Sequence, residues 1–426
     1  VCRNLYFLKM KVVQKILQKL SVTVGKPTEV DDILRFALVL QRLFGQQVLD
    51  PQWTWRRFRY QHLFSILIFI YVFLGTIETL KTTTDIEVIT EAYYTMIMII
   101  IFPIKFTIFA CNRFVFRRLY IEMKGTLLET IKESSRLETV LKTAKKIVYI
   151  LFAIVLIPVS SYELTTLWNY LRGERTLLSR STATLMRMTT PYYEIAWVLH
   201  TIFLCQLSTT IILDMWFVLL IYFLCESSDS TIAYLEVVKG ENETMLSYRE
   251  RLNISLKRFY EYHVKQDEYL RMLNSMYKWL ALVPLLNAAM CICIILLLMS
   301  KEVNWRFAPH VLPMFAEIFA YNYFGEQIKT KANNFNLALL QFDWVSLNLK
   351  DRKNYCILVT YMKKKQFGIK TANQSELCLI TMSAVSILPS RKVIVQHIYY
   401  VFTTVLKRST ACLAIFDSSA CVMRVW

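Results

Sequence analysis

Five histidines, ten cysteines and eight glycines set the chemistry open to this chain of 426 residues. His62, His200, His263, His310 and His397 are scattered, with no HxxxH or HExxH pair to hold a zinc ion on one helix face. No glycine-rich loop is present to cradle phosphates, so nucleotide-dependent chemistry lacks its usual part as well. The cysteines show no CxxC spacing. Cys205, Cys291 and Cys293 lie in apolar runs, and the segments 81–91, 168–191 and 300–310 contain none. Neither a disulfide framework nor a metal site follows, and we expect no cofactor, no metal and no enzymatic activity. The remaining charged groups of interest are those inside apolar stretches. Glu317 is expected to turn inward to a structural partner, and Lys407 and Arg408 to face water or a partner, because charge is costly in lipid.

The elements that must position these groups are seven apolar stretches: Leu63 to Ile77, Tyr93 to Ala110, Ile147 to Leu167, Tyr192 to Leu213, Met276 to Met299, Val311 to Phe324, and Ile394 to Phe416. Each approaches the roughly 20 residues that a bilayer-crossing helix needs, the sixth least well. With 55% hydrophobic residues and a mean hydropathy of +0.37, the chain falls outside the soluble globular class. Of the 50 Lys and Arg, 38 lie in the N-terminal segment and the loops after stretches two, four and six, against 7 in the loops after one, three and five. Positive flanks stay in the cytosol during insertion, so the N-terminus and even-numbered loops are expected inside and the C-terminus outside. This orientation is the reverse of a G-protein-coupled receptor, and no Asp-Arg-Tyr triplet follows the third stretch. The net charge of +18 thus reflects insertion topology and inner-leaflet attraction, and nucleic acid is not expected as a partner. Sequons at Asn242, Asn253 and Asn373 all fall on expected cytosolic loops and should carry no glycan.

Several further features read directly. Val1 to Leu20 is basic and amphipathic without a cleavable signal, and Met10 is a plausible start. Val30 to Trp55 reads as a helix and turn, and Trp55 to Tyr60 as an aromatic and cationic anchor at the inner interface. Pro103 predicts a kink in the second membrane helix. Tyr192 to Leu224 spans roughly 50 Å at about 1.5 Å per residue, too long for a core about 30 Å thick. Asp214 should therefore mark the inner boundary, with Met215 to Leu224 buried by protein in a cytosolic layer that Tyr248 to Ser275 helps to complete. Phe335 to Met362 reads as an amphipathic helix ended by the Lys363 run. The fold class is thus an all-α integral membrane protein of seven transmembrane helices with a helical cytosolic anchor layer.

Tyr323-Phe324-Gly325-Glu326, Asn336 to Ala338, Asp343-Trp344 and Lys350-Asp-Arg-Lys together resemble the end of helix six and the cytosolic half of helix seven of insect odorant receptors. Leu43-Phe44-Gly45, Asp214-Met-Trp-Phe, His263 and Phe402 to Ser409 are similar echoes. The resemblance implies a ligand-gated cation channel of four subunits, each with an odorant pocket between helices in its outer half. It further implies a pore lined by helix seven and an anchor in which Tyr323, Phe324, Gly325, Asp343 and Trp344 take part. The short loop between helices four and five lacks the insertion typical of the common coreceptor, so the chain is expected to be an odorant-tuned partner of that coreceptor. The implied setting is the plasma membrane of olfactory neuron dendrites, and the implied ligand is a volatile small organic molecule.

Such a pocket needs apolar and aromatic walls with few polar groups. The candidates in outer halves are Tyr94 and Met98, Val159 and Tyr162, and Trp197 and His200, each pair at a spacing that shares a helix face. Alignment of Thr403-Thr-Val-Leu with the family places Ile415 at a dewetting gate flanked by Ala414 and Phe416. The expected organisation is a cytosolic segment over 1–62, six membrane helices over 63–324, an anchor helix and linker over 325–392, the pore helix over 393–416 and a tail over 417–426. Leu340, Thr410 and Cys412 depart from the family pattern. About twenty residues separate Met382 from Thr403, which the family pattern would join, so 383–402 reads as a non-native insertion. Sequencing the transcript across that segment tests this. The alternatives are a gustatory receptor channel, whose usual Thr-Tyr and terminal Gln-Phe are missing from the last helix, and a G-protein-coupled-like receptor of inverted topology. A transporter would require paired broken helices in two related halves, which seven unequal helices do not supply.

Overall fold

The computed structural model describes residues 28–175, 185–301 and 308–364, with 21, 23–25, 177, 368 and 369; the side chains of 86, 87, 90, 158, 210, 282–315 and 364 lie outside that description. The expected pore helix, with Ala414, Ile415 and Phe416, therefore lies outside the described residues, as do Lys407, Arg408 and the segment 383–402. All regular elements among the described residues are helical. They are α1 (Glu29–Leu43), α2 (Arg59–Thr82), α3 (Ile86–Cys111), α4 (Arg113–Glu122), α5 (Leu128–Glu133), α6 (Leu137–Leu171), α7 (Tyr192–Ile232), α8 (Met245–Lys301), α9 (Ala308–Gln341) and α10 (Leu349–Lys364). A π-helical turn, Met123–Leu127, joins α4 to α5.

Among the described residues, four helical stretches are long and apolar enough to cross a membrane: Arg59–Thr82, Glu91–Cys111, Leu137–Leu171 and Tyr192–Leu235. Their outward faces are apolar, the inverse of a soluble helix. On α2, Leu63, Phe64, Leu67, Ile70 and Leu74 are exposed while Ser65, Ile68, Val72, Thr76 and Thr79 are buried. The buried polar members stay satisfied inside the bundle. Ser65 accepts from Gln206 Nε2 at 2.8 Å, and Thr76 and Thr79 donate back to the carbonyls of Val72 and Gly75. α3 contains Pro103 within its span.

α7 is the axis of the fold, packing against α2, α3, α6, α8 and α9. Met215 to Leu224 are all buried, as their apolar run past the bilayer length requires. Phe217 stacks on Tyr321 of α9 with ring centroids 4.3 Å apart and lies 4.9 Å from Tyr277 of α8. Trp216 meets Phe116 and Tyr120 edge-on from α4, and its indole donates to Gln41 of α1 at 3.4 Å. Burying one such ring contributes about 1.5–3 kcal/mol, so this layer is a major source of cohesion. A polar strip completes it, where Gln266 Nε2 on α8 donates to Ser227 Oγ and Thr231 Oγ1 on α7.

The expected helix from Phe335 to Met362 is interrupted. α9 ends at Gln341, a 3-10 turn runs from Trp344–Ser346, and α10 begins at Leu349. Asp343 leaves the helical region, and its carboxylate accepts from Ser346 N at 3.2 Å and from Tyr248 of α8 at 3.1 Å. Arg249 donates to the Ser346 carbonyl and Arg352 to the Leu347 carbonyl, so side chains satisfy the backbone where the helix breaks. Tyr355 then ties α10 back to the Leu339 carbonyl at 2.6 Å.

The N-terminal segment is clamped in a similar way. Asp31 on α1 accepts from the Thr28 backbone at 2.7 Å, Thr23 at 2.7 Å, Tyr120 at 2.6 Å and Lys124 at 2.8 Å. Burial pushes its carboxyl up, but these donors outweigh burial and hold it below its ordinary range. Gly45 closes the following turn with φ +72, where a Cβ would stand 3.0 Å from His62.

Candidate functional site

Polar contacts between helices of the bundle include two built on carboxylates. The first joins α6 to α7. Trp197 and Thr201, one turn apart on α7, share a face, and both reach Glu163 of α6. The indole Nε1 of Trp197 lies 2.8 Å from Glu163 Oε2, and Thr201 Oγ1 lies 3.0 Å from Oε1. Tyr170, two turns beyond Glu163, stacks parallel on Tyr193 at 5.8 Å and meets Trp197 at 5.9 Å. Tyr193 and Trp197 are 6.3 Å apart, so three rings form one cluster beside the carboxylate.

The sequence-predicted pocket residues are spread over α3, α6 and α7. Trp197 is half-buried and belongs to it directly; His200 is buried one turn further along and stacks on Phe203 at 6.2 Å. Phe203 meets Phe69 of α2 at 5.6 Å, and Phe69 stacks on Phe102 of α3 at 4.8 Å, which carries the aromatic lining across the bundle. Val159 and Tyr162 are half-buried on α6 in the turn of Glu163, and Tyr94 and Met98 are half-buried on α3. The structure thus joins Trp197 and α6 through Glu163, a residue that the sequence reading passed over. A lone acid in an apolar stretch was the available signal, the same one that singled out Glu317.

The second site is a buried ion cluster. Lys105 of α3 places its Nζ 2.9 Å from Asp214 Oδ2 on α7 and 2.5 Å from Glu317 Oε1 on α9. Tyr321, one turn after Glu317, donates to Asp214 Oδ1 at 2.8 Å. Glu317 does turn inward to a partner, and Asp214 anchors the cluster where the apolar run of α7 begins its buried half. Lys105 was missed, although a cation two residues beyond Pro103 in an apolar helix demands an anion. Lys105 is 3% exposed, and the cluster ties three helices.

The expected anchor residues divide. Gly325 is buried and Phe324 half-buried, whereas Tyr323 is partly exposed and stacks on Phe319 at 5.4 Å. Asp343 caps the 3-10 turn, and Trp344 lies parallel to Tyr355 at 6.0 Å while remaining 40% exposed. Among the described residues no group of three His, Cys, Asp or Glu is placed to hold a metal ion.

The family model described as 7tm Odorant receptor matches residues 85–386. The fold is similar to that of the insect olfactory receptor OR5 from Machilis hrabei, with a TM-score of 0.62 at 13% identity over 86% of this chain and 99% of that one. The same receptor in complex with eugenol gives a TM-score of 0.63 at 13% identity, over 86% of this chain and 100% of that one. No curated protein matches the sequence. At that identity the solved structures speak to the fold, and the family rests on the match across most of the chain. This membrane protein belongs to the 7tm odorant receptor family, a family of receptors and not of enzymes.

Proposed function

We propose that this chain is the odorant-tuned subunit of a heterotetrameric cation channel, working with a coreceptor in the plasma membrane of olfactory neurons. Its N-terminus is cytosolic and its C-terminus extracellular, with seven crossings. A volatile organic ligand enters the outer half between α3, α6 and α7, where Tyr94, Met98, Val159, Tyr162, Trp197 and His200 supply apolar and aromatic walls. The eugenol complex of a structural neighbour supports a small organic ligand as the class. The pore is lined by the segment 393–416, with Ala414, Ile415 and Phe416 as its hydrophobic gate. Tyr323, Phe324, Gly325, Asp343 and Trp344 belong to the anchor that holds the subunits together.

The observation that carries this reading is the length and burial of α7. Its 41 residues extend about 60 Å, roughly twice the hydrocarbon thickness. The second half is sealed by aromatic packing from α4, α8 and α9. A helix that lies in lipid at one end and in a protein core at the other suits a receptor whose ligand site and subunit anchor are stacked along one rod. Recording from cells that express the chain with and without a coreceptor tests the proposal. The expected result is an odorant-dependent cation current that needs both subunits and shifts with substitutions at Ile415. A response carried through G proteins and indifferent to Ile415 overturns the channel reading, and a glycan on Asn242 or Asn253 overturns the orientation.

A further inference from the structure

Glu163 has no ion-pair partner among the described residues, although it stands in a membrane-spanning helix. Its two hydrogen bonds come from neutral donors, the Trp197 indole and the Thr201 hydroxyl. An ionised carboxylate offers about four acceptor positions, so roughly half remain open. Asp214 and Glu317 are instead served by Lys105. Isolated charge inside a membrane protein is costly and marks functional sites. A cation close enough to act electrostatically on Tyr193 is Arg175, in the loop after α6.

The surroundings of Glu163 point to the missing cation. Tyr170, Tyr193 and Trp197 touch one another at 5.8 to 6.3 Å beside the carboxylate. Ring faces attract cations within about 6 Å, and indole does so most strongly. Glu194, next to Tyr193, adds a second acid: Oε1 accepts from Thr190 at 3.2 Å, while Oε2 is buried without a hydrogen-bond partner. Glu163 itself is only half-buried, so a ligand can reach it.

We infer that Glu163 with the Tyr170, Tyr193 and Trp197 rings recognises the ammonium group of a small primary amine. The inference rests on the receptor reading above and names the ligand class. An ammonium donates three hydrogen bonds and carries one charge, matching open carboxylate positions next to an aromatic cluster. A neutral alcohol of the same shape donates a single hydrogen bond and carries no charge.

Currents from the chain with its coreceptor decide the matter, using primary amines paired with their alcohol isosteres, such as 2-phenylethylamine and 2-phenylethanol, at pH 7. Alkyl amines are protonated there, with a pKa near that of lysine, about 10.4. The expected result is that amines act at concentrations at least about tenfold below those of the alcohols, as loss of a desolvated charge pair implies. Glu163→Gln keeps the shape and the acceptor for Trp197, and should raise the half-maximal amine concentration at least about tenfold while moving the alcohols less than about threefold. Tyr170→Leu, which leaves both Glu163 hydrogen bonds in place, should weaken amines by about threefold to tenfold and spare the alcohols. Equal potency of amines and alcohols, or equal shifts of both in Glu163→Gln and Tyr170→Leu, overturns amine recognition and leaves the receptor reading standing. Silence to every ligand from channels labelled at the cell surface overturns the receptor reading and this inference with it.

Discussion

Asp214 and Glu317 share a lysine, whereas Glu163, on a neighbouring helix of the same bundle, is held by an indole and a hydroxyl. In the first site the counter-charge is permanent and comes from a third helix, so the charges serve to fasten α3, α7 and α9. In the second the donors are neutral and two rings stand close by, so the negative charge remains available to a visiting partner. The contrast teaches that an intramembrane carboxylate is a fastener or a receptor according to whether the fold supplies its cation. Burial agrees: Lys105 is almost wholly enclosed, while Glu163 is reachable.

The contrast can be broken at Lys105 first. Lys105→Met leaves two buried acids with no cation and should cost about 3–5 kcal/mol, seen as a loss of surface-expressed receptor and a lower melting temperature in detergent. Replacing all three charges, Lys105→Met with Asp214→Leu and Glu317→Leu, should recover most of that loss, because a buried ion cluster is at best weakly stabilising against apolar residues. A triple variant as damaged as the single one would mean that the charges do more than fasten. Tyr321→Phe removes a hydroxyl from Asp214 and should lower stability by about 1.5–3 kcal/mol in the same melting assay. Glu163→Gln should lie at the small end, within about 1 kcal/mol of wild type, since both hydrogen bonds survive in neutral form. If Glu163→Gln melts as low as Lys105→Met, the two sites do the same work.

Asp31 gives a third case, outside the membrane, in which pH is the probe. Its folded carboxyl lies below the ordinary value of 3.8 because its hydrogen-bond donors outweigh burial. The stability it contributes is complete above 3.8 and disappears as pH falls through the folded value. Melting curves of wild type and Asp31→Asn should therefore lie furthest apart above that point and converge as the pH falls below it, and Lys124→Met should narrow the separation.

Apolar patterning and charge placement made much of this legible from residue types alone. The run Met215 to Leu224 is too apolar for water and too far along α7 for lipid, so only a protein layer could bury it. Glu317 announced a partner without revealing which one. Lys105 and Glu163 carried the same signal and were passed over, because a single charge in an apolar stretch also fits a side chain that reaches out to the interface. The break between Gln341 and Leu349 was hidden for a different reason. Leu337, Leu340, Trp344, Leu347 and Tyr355 keep helical spacing through it, and only the donors from Tyr248, Arg249 and Arg352 show why the backbone can turn there.

Composition and spacing determined that this is a helical membrane protein, that several of its stretches are apolar enough to cross, and that one helix must continue into a protein core. Those properties follow from the cost of exposing backbone and charge to hydrocarbon, a cost each residue carries wherever the chain folds. Which helix meets which was decided by tertiary structure alone. Lys105 lies more than a hundred positions from Asp214 and more than two hundred from Glu317, and pairing across such separations depends on how the rods are arranged, not on any local preference.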